Sequence, residues 1–133
     1  MRHADYVDPQ TSRNHLDEAA GLAQACDDRR TLCEIRLGQA LAGTIWGDPI
    51  SARAAAEDGR DFADALGDRF FSWNMRTWLG IALYMLGDLD DAGRVFHPLA
   101  EEGAATGNLF MTALGNTGLC ASAYIPRPAR RGA

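Results

Sequence analysis

Apolar positions along this chain recur with a period near 3.6, never two, and they fall into blocks about 15–18 residues long. In the block 69–86, Phe71, Met75, Trp78, Leu79, Ala82 and Leu86 share one helical face at i, i+4, i+7, i+8 spacing, and Ile81 and Met85 widen it. A helix apolar over so much of its surface is packed on more than one side. The block SARAAAEDGRDFADALG, residues 51–67, reads differently. It is Ala-rich and charged, with a narrow Ala/Phe seam, which suits an outer helix with a solvated side. Strand signals are missing throughout, because no segment alternates apolar and polar residues and no hairpin turn separates two such runs.

The two helix types alternate on an internal repeat. At a shift of 40, positions 8–85 face 48–125 and 18 of the 78 pairs are identical, where composition alone predicts about 7. Asp8-Pro9 meets Asp48-Pro49, Asp28-Arg29 meets Asp68-Arg69, Arg36 meets Arg76, and Ala25, Ala65 and Ala105 match three ways. Gly-Asp pairs stand at 47–48, 67–68 and 87–88, with Gly107-Asn108 next, so the punctuation falls every 20 residues. Glycine closes one helix in the left-handed conformation. Aspartate opens the next by accepting from its free N–H groups. Pro9 and Pro49 sit at the first helical position, where a missing N–H costs nothing. The expected helices are 9–26, 29–46, 49–66, 69–86, 89–106 and 109–125. The expected fold class is all-α: an α-solenoid of antiparallel helix pairs, about six helices on a 40-residue repeat. The repeat domain spans 9–125, between a disordered N-terminus (1–8) and a disordered basic tail (126–133).

Period alone favours repeats of the HEAT type, but the Gly-Asp turns and the small crossing positions Ala42, Ala52, Ala82 and Ala92 resemble tetratricopeptide repeats in a longer form. More specifically, GDPISARAAAEDGRDFADALGDRF, followed by Trp78-Leu79-Gly80 and Gly87-Asp88-Leu89, resembles the repeat region of large LuxR-type transcriptional regulators of actinobacteria, the maltose-regulator-like class. In that class an ATPase module precedes the repeats and a helix-turn-helix follows them. The resemblance implies a tetratricopeptide-like scaffold for transcription regulation and protein–protein interaction, or a truncated remnant of a larger signalling ATPase regulator. Neither flanking module has a counterpart here. There is no GxxxxGK[ST] loop to cradle phosphate, and residues 125–133, IPRPARRGA, carry no helix-turn-helix.

Composition narrows the classes further. The 133 residues suffice for one domain, and 47% hydrophobic residues argue against disorder. A net charge of −5 is the wrong sign for a module that binds nucleic acid directly. Cys26, Cys33 and Cys120 are too few, and odd in number, for a disulfide framework. With no secretory h-region and no membrane-length apolar run, a cytoplasmic location is expected.

Candidate chemistry is sparse. Helical geometry places Arg69, Ser72, Trp73, Arg76, Gly80, Leu83 and Tyr84 within about 100° of one another, opposite the core face of their helix. Arg29 and Arg36 are the repeat equivalents of Arg69 and Arg76. A concave stripe of Arg29, Arg36, Arg69, Trp73, Arg76 and Tyr84 would suit a protein or peptide partner, or a small anionic effector with a carboxylate or phosphate. The competing reading is that these arginines pair with acidic residues of the outer helices. The apolar residues Phe110, Met111, Leu114 and Leu119 make helix 109–125 a surface for homo-oligomer formation, since no outer helix follows it and terminal repeats normally need a polar cap. His97-Pro98 should kink helix 89–106. Scattered histidines and the absence of zinc-type cysteine spacing give no expectation of a metal, a cofactor or a catalytic constellation. The chain is therefore read as a non-catalytic interaction scaffold.

Overall fold

A computed structural model describes residues 8–124. They form six helices: α1 Pro9–Ala25, α2 Arg29–Ile45, α3 Pro49–Leu66, α4 Arg69–Met85, α5 Leu89–Thr106 and α6 Leu109–Tyr124. Each boundary lies within a residue of the one read from the Gly-Asp punctuation, because the signals that set it are local. Of the termini expected to be disordered, Asp8 is the N-cap of α1. The others, 1–7 and 126–133, lie outside the described residues, as does Ile125, read as the last residue of helix 109–125.

One motif builds every turn. The amides of Asp28, Asp48, Asp68, Asp88 and Asn108 each donate to the carbonyl five residues earlier, on Ala23, Gly43, Ala63, Leu83 and Gly103. This is the bond that closes a Schellman motif. The same residues are the first non-helical positions of the following helices. Asp28, Asp48 and Asp68 accept the backbone N–H three residues on, and Asn108 accepts that of Met111. One residue thus ends one helix and starts the next, which is why the connections are so short. The motif requires a left-handed residue just before it, and Gly47, Gly67, Gly87 and Gly107 supply φ between 68° and 81°. At the first turn Asp27 takes the same conformation, φ 52°, without glycine's freedom. Asp88 departs from the pattern, for its side chain makes no capping bond.

The helices form two rows. The inner helices α2, α4 and α6 touch one another in sequence, whereas α1, α3 and α5 contact only the inner helices beside them. The inner row is therefore the tighter one and lies on the concave side of the stack. The largest core cluster joins Ala40, Ala55, Ala56, Trp73, Leu79, Leu83, Ala92, Phe96, Leu99 and Met111 across five helices. Small residues set the spacing. A Cβ on Gly43 would stand 2.9 Å from the Ala52 nitrogen. The Phe96 ring lies between Gly80 and Gly118, each too close to accept a Cβ. Ala52, Ala82 and Ala92 are fully buried, as crossing positions must be, and Ala42 is half-buried.

Helix α5 runs unbroken from Leu89 to Thr106 with Pro98 inside it. No described helix is long and apolar enough to cross a membrane.

Candidate functional site

The arginines of the expected stripe do not share a surface with its aromatic residues. Trp73 is 8% exposed and belongs to the main core cluster, and Tyr84 is half-buried against the same cluster. Ser72, Gly80 and Leu83 are buried too. The face of α4 read as lying opposite the core is itself packed, because α5 and α6 cover one flank while α3 and α2 cover the other. Periodicity assigns one apolar face to a helix and cannot separate two buried flanks.

Arg36 and Arg76 point away from the concave side, into clefts between successive outer helices. The cleft of α1, α2 and α3 encloses about 460 Å³ and is lined by Arg13, Asp17, Arg36, Gln39 and Asp58 among others. At its floor Arg36 Nε stands 3.0 Å from Asp58 Oδ2, and its Nη1 donates to Gln39 Oε1 at 2.7 Å. Gln39 in turn donates to Asp17 at 3.0 Å, so the network ties α2 to α1 and α3. Arg36 Nε is buried without an aligned hydrogen bond, which leaves one donor of this guanidinium unused.

One repeat further on, the cleft of α3, α4 and α5 encloses about 340 Å³. Arg60, Arg76 and Arg94 rim it, over a floor of Leu79, Val95, Pro98 and Leu99. Arg76 Nη2 lies 3.3 Å from Asp64 Oδ2, and Arg94 Nη1 donates to Asp91 at 2.7 Å. Exposed pairs of this kind are worth about 0–1 kcal/mol, so they hold the guanidinium groups only loosely. Arg69 reaches Glu102 at 3.0 Å at the edge of the same cleft. Arg29 lines a third cleft, of about 420 Å³, with Asp27 3.7 Å from its Nε. Each stripe arginine thus has an acidic neighbour. Arg60 and Arg94 share a cleft with Arg76, a grouping that sequence spacing did not suggest.

The concave side carries a different set. Leu41 and Ile45 on α2, Phe70 and Met85 on α4, and Phe110 on α6 are all exposed. Four of them form two repeat pairs, since Ile45 matches Met85 and Phe70 matches Phe110 at a shift of 40. Phe70 and Phe110 are 63% and 65% exposed, and both rings lie over Trp73, at 6.5 and 5.5 Å between centroids. The Phe70–Phe110 identity was present in the repeat alignment and was the signal for this surface.

The cysteines are free: Cys33 is buried, Cys26 and Cys120 exposed. Burial pushes the Cys33 thiol above its ordinary pKa, so it is an inert packing residue. Among the described residues no group of three His, Cys, Asp or Glu side chains could hold a metal ion.

No family model matches the chain, and no solved structure does. Over 101 residues, 76% of its length, the chain is 40% identical to relatives from Mycobacterium bovis and from two strains of Mycobacterium tuberculosis. Those relatives carry, provisionally, the name HTH-type transcriptional regulator. The match covers 12% of each of them, so this all-α repeat corresponds to a small part of a much longer regulator-like protein.

Proposed function

We propose that the chain is a tetratricopeptide-like repeat segment of a LuxR-type transcriptional regulator, acting in the cytoplasm as a non-catalytic interaction scaffold. The relatives' names and the 20-residue turn chemistry support the family reading. One observation carries the scaffold reading: Leu41, Ile45, Phe70, Met85 and Phe110 are large apolar side chains left exposed on the inner helices. Phe70 and Phe110 form one exposed aromatic patch over Trp73, and exposed apolar patches of this kind mark binding surfaces. The occupant is a protein segment that brings apolar anchors to the groove.

Site-specific photocrosslinking in cells tests this. A crosslinker at Phe70 or Phe110 should capture a discrete protein, and one at the exposed outer-row position Ala54 should not. Equal capture from both rows, or none from the inner row, would defeat the reading.

A second reading rests on the clefts. Arg60, Arg76 and Arg94 converge on an apolar floor, an arrangement suited to a small anion with an apolar body. Titration with short-chain carboxylates and phosphomonoesters, monitored by calorimetry, should give a heat of binding that Arg76→Ala abolishes. Unchanged heats in the variant would remove this reading and leave the first intact.

A further inference from the structure

We propose that the cleft between α1 and α3 binds a small zwitterion, a free α-amino acid with a short aliphatic side chain.

The cleft exists because α1 and α3 do not touch, while both pack on α2, which forms its floor. Its volume of about 460 Å³ falls in the range of small-molecule sites. The polar groups at its floor form one chain. Asp17 Oδ1 on α1 accepts from Gln39, and Gln39 Oε1 accepts from Arg36 Nη1. Arg36 Nε stands 3.0 Å from Asp58 Oδ2 on α3. Only 17% of the Arg36 side chain is exposed. A charge held so deep is costly unless its donors are satisfied. Yet Nε has no aligned acceptor, and none of the described residues accepts from Nη2. The guanidinium therefore keeps a donor for a carboxylate, the anion its geometry fits. Each aspartate commits one oxygen to the chain and keeps the other for a cationic donor, Asp17 on one wall and Asp58 on the other.

The repeat indicates that packing alone does not call for this chain. Forty residues on, Arg76 recurs, but Leu79 stands for Gln39 and Pro98 for Asp58, and Arg76 pairs with Asp64 instead. Helices α3, α4 and α5 stack without it. Charge then selects the ligand class. Arg13 and Arg36 are matched by Asp17 and Asp58, and Asp48 holds Arg13 at 2.8 Å. A cleft without surplus positive charge favours neither a free anion nor a free cation, but suits a ligand that carries both signs. Leu16, Ala42, Ala54 and Ala55 supply apolar lining of modest size, which fits a short aliphatic side chain. The cleft is apart from Phe70 and Phe110 and from the cleft of Arg76, so this inference and both readings of function fail independently.

Calorimetry on the full chain at neutral pH tests it, with L-valine and L-leucine as probes. N-acetyl-L-leucine lacks the ammonium and L-leucinamide lacks the carboxylate. At least one amino acid should bind, and each blocked derivative should bind at least about tenfold more weakly, the cost of one lost charged hydrogen bond. Asp17→Asn keeps an acceptor for Gln39 but removes the charge, and Gln39→Leu installs the residue of the next repeat. Both variants should keep the wild-type circular dichroism and lose at least about tenfold in affinity. Absence of heat from both amino acids overturns the proposal. So does equal binding of N-acetyl-L-leucine, which would mark an anion site, or of L-leucinamide, which would mark a site for a peptide amino terminus. A heat that survives Asp17→Asn and Gln39→Leu but not Arg76→Ala would place the ligand in the other cleft and overturn it as well.

Discussion

The residues that do most to shape this molecule are the ones between its helices. Asp27 is the one described non-glycine residue with positive φ, at a position where the four later turns carry glycine. Asp27→Gly should stabilise the chain by about 0.5–1 kcal/mol, seen as a higher melting temperature, because the left-handed conformation costs glycine nothing. The exposed pair it forfeits, 3.7 Å from Arg29, contributes little. The capping carboxylates make a second prediction. Donation from the Thr31 hydroxyl and then its amide holds Asp28 below the ordinary carboxylate value of 3.8, and Ser51 does the same for Asp48. A carboxylate whose pKa is depressed on folding stabilises the fold above its unfolded value, and loses that contribution as pH falls through the folded one. Thermal melts should therefore be insensitive to these groups at neutral pH and fall below about pH 4. The double variant Asp28→Asn/Asp48→Asn, which keeps a capping oxygen but cannot titrate, should show a shallower acid fall. An identical fall would place the acid sensitivity elsewhere.

At the scale of a helix, α5 is the element in which local preference and tertiary packing disagree. Proline in a helix interior removes a hydrogen bond and crowds the preceding turn, at a cost of about 3 kcal/mol. The helix nonetheless continues through Pro98, because Ala92, Phe96, Leu99, Ala100 and Gly103 bury one face of it along its whole length. Pro98 itself is exposed and adds little packing. Pro98→Ala should thus stabilise the chain by about 1–3 kcal/mol in urea melts, since it restores the donor without opening a cavity. A loss of stability would mean that the proline ring packs in the α3–α5 cleft in a way that matters.

At the scale of the whole molecule, a stack in which helices touch only near neighbours has no single centre, and its stability is a sum over adjacent pairs. Helix α4 contacts α2, α3, α5 and α6, while α1 contacts α2 alone, over the cluster of Ala20, Ala23, Leu32 and Ile35. Amide hydrogen exchange should therefore be at least about tenfold faster in α1 than in α4. Equal protection would mean that the six helices open as one unit.

The sequence by itself determined the helices, their lengths and their alternation. Left-handed glycines, capping carboxylates and first-turn prolines act over a few residues, so the signal and its consequence lie together in the chain. It also carried the 40-residue repeat, and with it the two rows. Only the tertiary structure decided which side of each inner helix meets solvent. Helix α4 is apolar over most of its surface, so periodicity could not tell a flank buried by α5 from a face open to the groove. That ambiguity placed Trp73 on a binding surface when it belongs to the core, and it overlooked Phe70, three residues away, which is exposed. It also set Arg36 and Arg76 on the concave side, whereas packing of the outer helices leaves clefts behind the inner row and draws both arginines into them. Which surface a side chain joins depends on neighbours 20 to 40 residues away, and no local pattern encodes them.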